Sequence, residues 1–136
     1  MKESVVGESM FKDARGRGKY NVFPDVPDGQ INVSYSYPGT IRAFHRHRNQ
    51  FDNWFVVKGN LEVALYYPVQ EKLELISLGE GDSVLEIPPF VWHGFKVLGN
   101  EEAILLYYVT NRYNPDNPDE ERAEWNAFYD WQTPKK

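Results

Sequence analysis

The chain holds three histidines, and two of them, His45 and His47, stand two apart in the run Arg42-Ala43-Phe44-His45-Arg46-His47. On an extended strand that spacing puts both imidazoles on one face. The third, His93, follows Ile87-Pro88-Pro89-Phe90-Val91-Trp92 at the expected start of another strand. Apolar and aromatic neighbours give each a dry setting in which an imidazole acts as acid or base near neutral pH. A single histidine is more often a surface or hydrogen-bonded core residue, and only convergence on one pocket shifts that balance toward chemistry. Arg42, Arg46 and Arg48 add a local basic cluster. Guanidinium forks suit the oxygens of a diphosphate, although a solvated strand face accounts for Arg46 and Arg48 equally well. Tyr35, Tyr37, Trp54, Phe90 and Trp92 could stack on a base or sugar, but most are expected in the core.

The elements that position these groups read as strands. Ile31 to Tyr37 alternates with period two, and its β-branched and aromatic residues suit a half-buried pleated surface. Trp54-Phe55-Val56-Val57 and Leu61 to Tyr66 flank Lys58-Gly59-Asn60, a hairpin signal because Gly and Asn tolerate positive φ. Pro68 to Glu71 predicts a second turn before Lys72 to Ile76. Ser83 to Ile87 resumes extended structure after Gly79-Glu80-Gly81-Asp82, and Ala103 to Val109 reads as strand from its flanking turns and aromatics. Short strands at regular spacing predict a sandwich or barrel. Asn117-Pro118-Asp119-Glu120 offers a cap, a proline and a carboxylate at a helix start, predicting a short helix over about Pro118 to Tyr129. Asp116 to Glu124 then reads as its solvated start. Met1 to Asp13 and Gln132 to Lys136 are expected to pack loosely.

Composition excludes several classes. A chain of 136 residues allows one domain, residues 1–136. Its formal charge of −5 argues against general nucleic-acid binding, and the absence of cysteine removes thiolate chemistry and disulfides. No stretch approaches the ~20 apolar residues of a membrane span, and Met1-Lys2-Glu3-Ser4 lacks the apolar region of a signal peptide. A cytoplasmic protein is expected.

Two frames order the candidate residues. The first is Gly39, His45, His47, Asp52, Gly59, continued by Gly81, Pro88 and His93, which resembles the metal pattern of the cupins. That resemblance implies a divalent transition metal held by His45, His47, Asp52 and His93, with Asp52 standing where glutamate is usual. The second covers about Asp13 to Asn126. Asp13-Ala14-Arg15-Gly16, Asn32-x-Ser34-x-Ser36-x-x-Gly39-x-x-Arg42-x-x-His45, Ile87-Pro88…His93-Gly94-Phe95, Glu101-x-Ala103…Tyr107…Thr110-Asn111-x-Tyr113-x-Pro115 and Trp125-Asn126 follow in order. Together they resemble the dTDP-4-dehydrorhamnose 3,5-epimerase family, a branch of the cupins.

That resemblance implies an all-β cupin jelly-roll sandwich, finished here by the short C-terminal helix, in a homodimer. It implies that a nucleotide-diphosphate-linked 4-keto-6-deoxy sugar is epimerised at C3, C5 or both without a cofactor. His45 takes the proton, Tyr107 returns one to the opposite face, and Arg42 holds the enolate oxygen or a phosphate. His93 and Arg15 contact the diphosphate or nucleotide, Arg15 from a partner subunit, and His47 and Asp52 bind substrate. Strict alternation sends Tyr107 and Tyr108 to opposite faces. It also separates Arg42 from His45, so both act only if a bulge intervenes.

Three departures stand out. His47 replaces the family's glutamine, Asp52 replaces its lysine, and the aspartate that orients the base far beyond Trp125-Asn126 has no counterpart before Lys136. Asp130 and Asp52 are the expected substitutes. The His-x-His and the short tail also resemble sugar-nucleotide 3,4-ketoisomerases. A metal-dependent cupin enzyme and a non-catalytic sugar-binding cupin remain open.

Overall fold

The computed structural model describes residues 10–26 and 28–132, and eleven strands lie within them. β1 (Met10–Asp13) and β2 (Gly16–Lys19) form a separate hairpin. The remaining strands build two antiparallel sheets. One holds four strands in the order β3 (Gln30–Ser36), β10 (Ala103–Val109), β5 (Asp52–Lys58), β8 (Leu85–Ile87). The other holds five, in the order β11 (Glu121–Arg122), β4 (Ile41–Arg46), β9 (Trp92–Leu98), β6 (Asn60–Tyr67), β7 (Lys72–Gly79). This is the all-β jelly-roll sandwich that the motifs implied.

The strand alternation read from the sequence sets what each sheet buries. Val56 of β5, Leu61, Val63 and Leu65 of β6, Val97 of β9 and Leu105 of β10 belong to one buried cluster between the sheets. At about 1.5–3 kcal/mol for each large apolar side chain removed from water, this cluster is the main drive for closing the sandwich. On the outer side of the five-stranded sheet, Phe44 and Ala64 are covered by Trp131, Phe128 and Tyr129 of the C-terminal segment. Phe128 stacks on Tyr66 at 4.5 Å between ring centroids, and Tyr129 Oη donates to Glu62.

Three expectations are corrected. The helix over Pro118 to Tyr129 is absent: Glu121–Arg122 pairs with β4, and Ala123 and Phe44 exchange two backbone hydrogen bonds. The local cap signal is outcompeted because Asp119 gives its carboxylate to backbone N–H groups of residues 48–50 instead of to a first helical turn. The Lys58-Gly59-Asn60 turn is not a hairpin. β5 and β6 lie in different sheets, and Gly59 (φ +90°) carries the chain across the corner, where a Cβ would meet Ala103 Cα at 2.9 Å. Finally, Met10–Asp13 is paired as β1; residues 1–9 and 133–136 of the two tails expected to be loose lie outside the described residues. The 68–71 turn does close a hairpin, between β6 and β7.

Candidate active site

At one end of the sandwich the inner faces turn polar and enclose a cavity of about 650 Å³, within the range of small-molecule sites. β3 contributes Gln30, Asn32 and Ser34, β4 contributes Arg42 and His45, β5 contributes Asp52 and Trp54, β9 contributes His93, and β10 contributes Tyr107. His45 and Tyr107 therefore rise from opposite sheets into the same space. Tyr108 points the other way, and its hydroxyl donates to the Asp28 carbonyl on the outer side.

Arg42 and His45 share the cavity because β4 is bulged. Arg42 pairs with Phe95 and His45 with His93, so Ala43 and Phe44 both lie opposite the single Gly94. A Cβ on Gly94 would fall 2.3 Å from Ala43 Cβ, so the site requires glycine there. Arg42 Nε donates to Ser36 Oγ at 2.9 Å, which steadies the guanidinium against β3.

His45 meets the carboxylate of Glu120, its Nδ1 lying 2.9 Å from Oε2. The carboxylate approaches obliquely, so the contact is electrostatic more than an aligned hydrogen bond. With the Nδ1 proton on that side, the lone pair sits on Nε2. Burial lowers the His45 pKa below its ordinary value, Glu120 opposes the shift, and Arg122 and His47 add to it. The Tyr107 hydroxyl is pushed up by burial and by the Asp52 charge, with Arg42 opposing. The pair thus combines a base that is neutral near pH 7 with an acid that holds its proton.

Deeper in the cavity His47, Asp52 and His93 converge, with one ligand atom from each lying within 4.8 Å of the others. His93 Nδ1 donates to the Val91 carbonyl and His47 Nδ1 to the Asp119 carbonyl, leaving both Nε2 atoms toward Asp52, at 3.9 and 3.6 Å. Asp52 also accepts from Gln50 and Trp54. Burial drives His93 down to about 4, against the pull of Asp52. Two imidazoles fixed in one tautomer around a carboxylate make a donor set that fits a divalent transition metal.

Of the residues marked in the sequence, the structure brings together His45, Tyr107, Arg42, His47, His93 and Asp52. It does not bring Arg15 to the cavity of its own chain, since that side chain is 86% exposed and paired with Asp13. Asp52 lies on the His47 and His93 side, and Glu120, not Asp52 or Asp130, is the carboxylate on His45. Sequence reading missed Glu120 because the segment resembles a helix start and its strand partner lies 75 positions earlier in the chain. Tyr35, Tyr37 and Phe90 are exposed instead of buried, whereas Trp54 lines the cavity.

The chain matches the family described as "Polysaccharide biosynthesis C-terminal domain" over residues 12–121. It is similar to the spore coat polysaccharide biosynthesis protein SpsL of Bacillus subtilis (strain 168), 39% identical over 114 residues, which cover 77% of this chain and 76% of that protein. It is 40% identical over 125 residues to the probable low-salt glycan biosynthesis epimerase Agl13 of Haloferax volcanii, covering 80% of this chain and 78% of that one. Among solved structures, the dTDP-4-dehydrorhamnose 3,5-epimerase from Sulfolobus tokodaii superposes with a TM-score of 0.74 at 29% identity, covering 90% of this chain and 77% of that one. Sequence, sandwich topology and cavity converge on one lineage: the chain belongs to the polysaccharide biosynthesis C-terminal domain family and has the fold of the sugar epimerases its motifs resemble.

Proposed function

We propose that this chain is a sugar-nucleotide epimerase acting on a nucleotide-diphosphate-linked 4-keto-6-deoxy sugar at C3, C5 or both. The observation that carries the reading is the placement of His45 and Tyr107 on opposite walls of one cavity. The 4-keto group acidifies its neighbouring C–H bonds. His45 Nε2 takes one proton, and the C–H electron pair moves into the carbonyl to form an enolate. Tyr107 then delivers a proton to the opposite face of the same carbon, inverting it, and solvent restores both groups. Arg42 lies where a cation would hold the enolate oxygen or a phosphate. On the facing wall β3, of the other sheet, adds amides and a hydroxyl suited to sugar hydroxyls.

The reading extends to a cytoplasmic homodimer. Ile31, Val33, Tyr35 and Tyr37 form an exposed stripe along the outer edge of the four-stranded sheet, Tyr37 at 74% exposure. A second copy on that face would cover it, and Arg15 would then be available to a neighbouring cavity.

Proton NMR of 4-keto sugar nucleotides in heavy water tests the reaction. Deuterium should enter at C3 or C5 with inversion, and His45→Asn should abolish it. Exchange unchanged in that variant would refute the assignment of the base.

A second reading is favoured by the His47, Asp52 and His93 cluster, which leaves His45 outside it. These three residues would hold a divalent transition metal on the side where the resembling family has a lysine cation. Bound there, the ion would polarise a carbonyl oxygen as a Lewis acid. Loss of exchange with chelator, and metal in protein purified without affinity metal, would support it; exchange indifferent to chelator would favour the cofactor-free route. Exchange at C3 with the carbonyl moved to that carbon would mark a ketoisomerase.

A further inference from the structure

Asp119 precedes the carboxylate that meets His45 and makes contacts in two directions. Its side chain accepts three successive backbone N–H groups, from Arg48 at 2.8 Å, Asn49 at 2.9 Å and Gln50 at 3.1 Å. Its main-chain carbonyl accepts from His47 Nδ1 at 2.5 Å. The next two residues continue the pattern, Glu120 on His45 and Glu121 on Arg46 at 2.6 Å. Three consecutive acidic residues therefore answer the consecutive run 45–47, although β11 itself is two residues long. So short a strand holds its register weakly, and the carboxylate bound to three N–H donors is the anchor at its cavity end. Those donors keep the Asp119 carboxyl below the ordinary range although burial pushes it up.

We propose that Asp119 is a positioning residue for the reaction: it pins the start of β11 to the 48–50 turn, setting Glu120 against His45 and its own carbonyl against His47. The proposal rests on the reading of His45 as the base. Asp119 acts through its neighbours, and its effect on the chemistry is a matter of orientation. A displacement of about 1 Å in a reacting group costs up to about a hundredfold in rate, so loosening this anchor should be visible in kcat.

The test uses the full chain, dTDP-4-keto-6-deoxyglucose as probe, and two variants, Asp119→Ala and Asp119→Asn. Asp119→Ala should lower kcat by about tenfold or more and move KM much less, because Arg42 and the β3 wall are untouched. Asp119→Asn keeps an acceptor oxygen and should recover part of the loss. In nitrogen-15 spectra of the histidine rings, the His45 and His47 signals should move while the His93 signal stays, since His93 bonds Val91 and not this segment. Should Asp119→Ala fail to fold, Asp119→Asn carries both readouts. Parental kcat in the folded variants, or ring signals that all stay or all move together, would overturn the proposal. His45→Asn separates the two claims. If exchange persists in it, the base assignment has failed. If exchange is lost there but Asp119 variants behave as the parent, only the role of Asp119 has failed.

Discussion

The two ends of the sandwich interior are built from the same strands and do opposite things. Along β9 the inward residues run His93, Phe95, Val97; along β10 they run Tyr107, Leu105, Ala103; along β5 they run Asp52, Trp54, Val56. At the far end the inward positions of these three strands are apolar and belong to one buried cluster between the sheets. At the near end the same register carries imidazole, phenol, carboxylate and guanidinium, and the sheets stay apart around a cavity. The packed end is thus the rigid base from which side chains of opposite sheets are held facing one another. Polar groups at the open end are tied down individually, Arg42 by Ser36, His93 by Val91, His47 by Asp119 and His45 by Glu120.

Substitutions should separate the two ends cleanly. The largest expected effect is at the open end, where His45→Asn should lower turnover by about a thousandfold, the middle of the range for a lost acid–base group, with little change in thermal midpoint. Leu61→Ala at the closed end, where Leu61 pairs with Val97, should cost about 2–5 kcal/mol of stability, read by urea denaturation, with kcat per folded molecule unchanged. A drop in kcat there would show that the ends are not independent. Tyr107→Phe should slow inversion by about a hundredfold while deuterium still enters at the carbon His45 addresses; equal loss of both would assign Tyr107 a different role. The smallest effect is in the pH profile. Because His45 is shifted below 6.5 and must be neutral to act, activity should fall on acidification only below pH 6.5. Because Tyr107 is shifted above 10, no alkaline loss should be seen before pH 10.

Much of this contrast was legible in the residues. Alternation in Ile31 to Tyr37 and Leu61 to Tyr66 marked strands, because period two is a local property of the chain, and flanking turns with aromatic content marked Ala103 to Val109. The same alternation separated Tyr107 from Tyr108, and the odd spacing of Arg42 and His45 called for a bulge, which Gly94 accommodates. What was not legible depends on distant partners. Glu120 meets a histidine 75 positions earlier, and Asp119 spends its carboxylate on N–H groups about seventy residues away. Local capping rules read those acids as a helix start because nothing nearby reveals the competing donors. Gly59 carried a genuine turn signal, but whether a turn stays in one sheet or crosses to the other is decided by the register of both sheets. Tyr35 and Tyr37 follow strand patterning faithfully, yet periodicity says which residues share a face and not whether anything covers it.

The most direct test is a crystal structure of the His45→Asn variant with a 4-keto-6-deoxy sugar nucleotide bound. The account predicts the hexose ring lying between the two sheets, with the C–H bond at C3 or C5 turned toward residue 45 and the Tyr107 hydroxyl on the other side of the ring. A sugar seated outside the cavity, or residue 45 and Tyr107 on the same side of the ring, would contradict it.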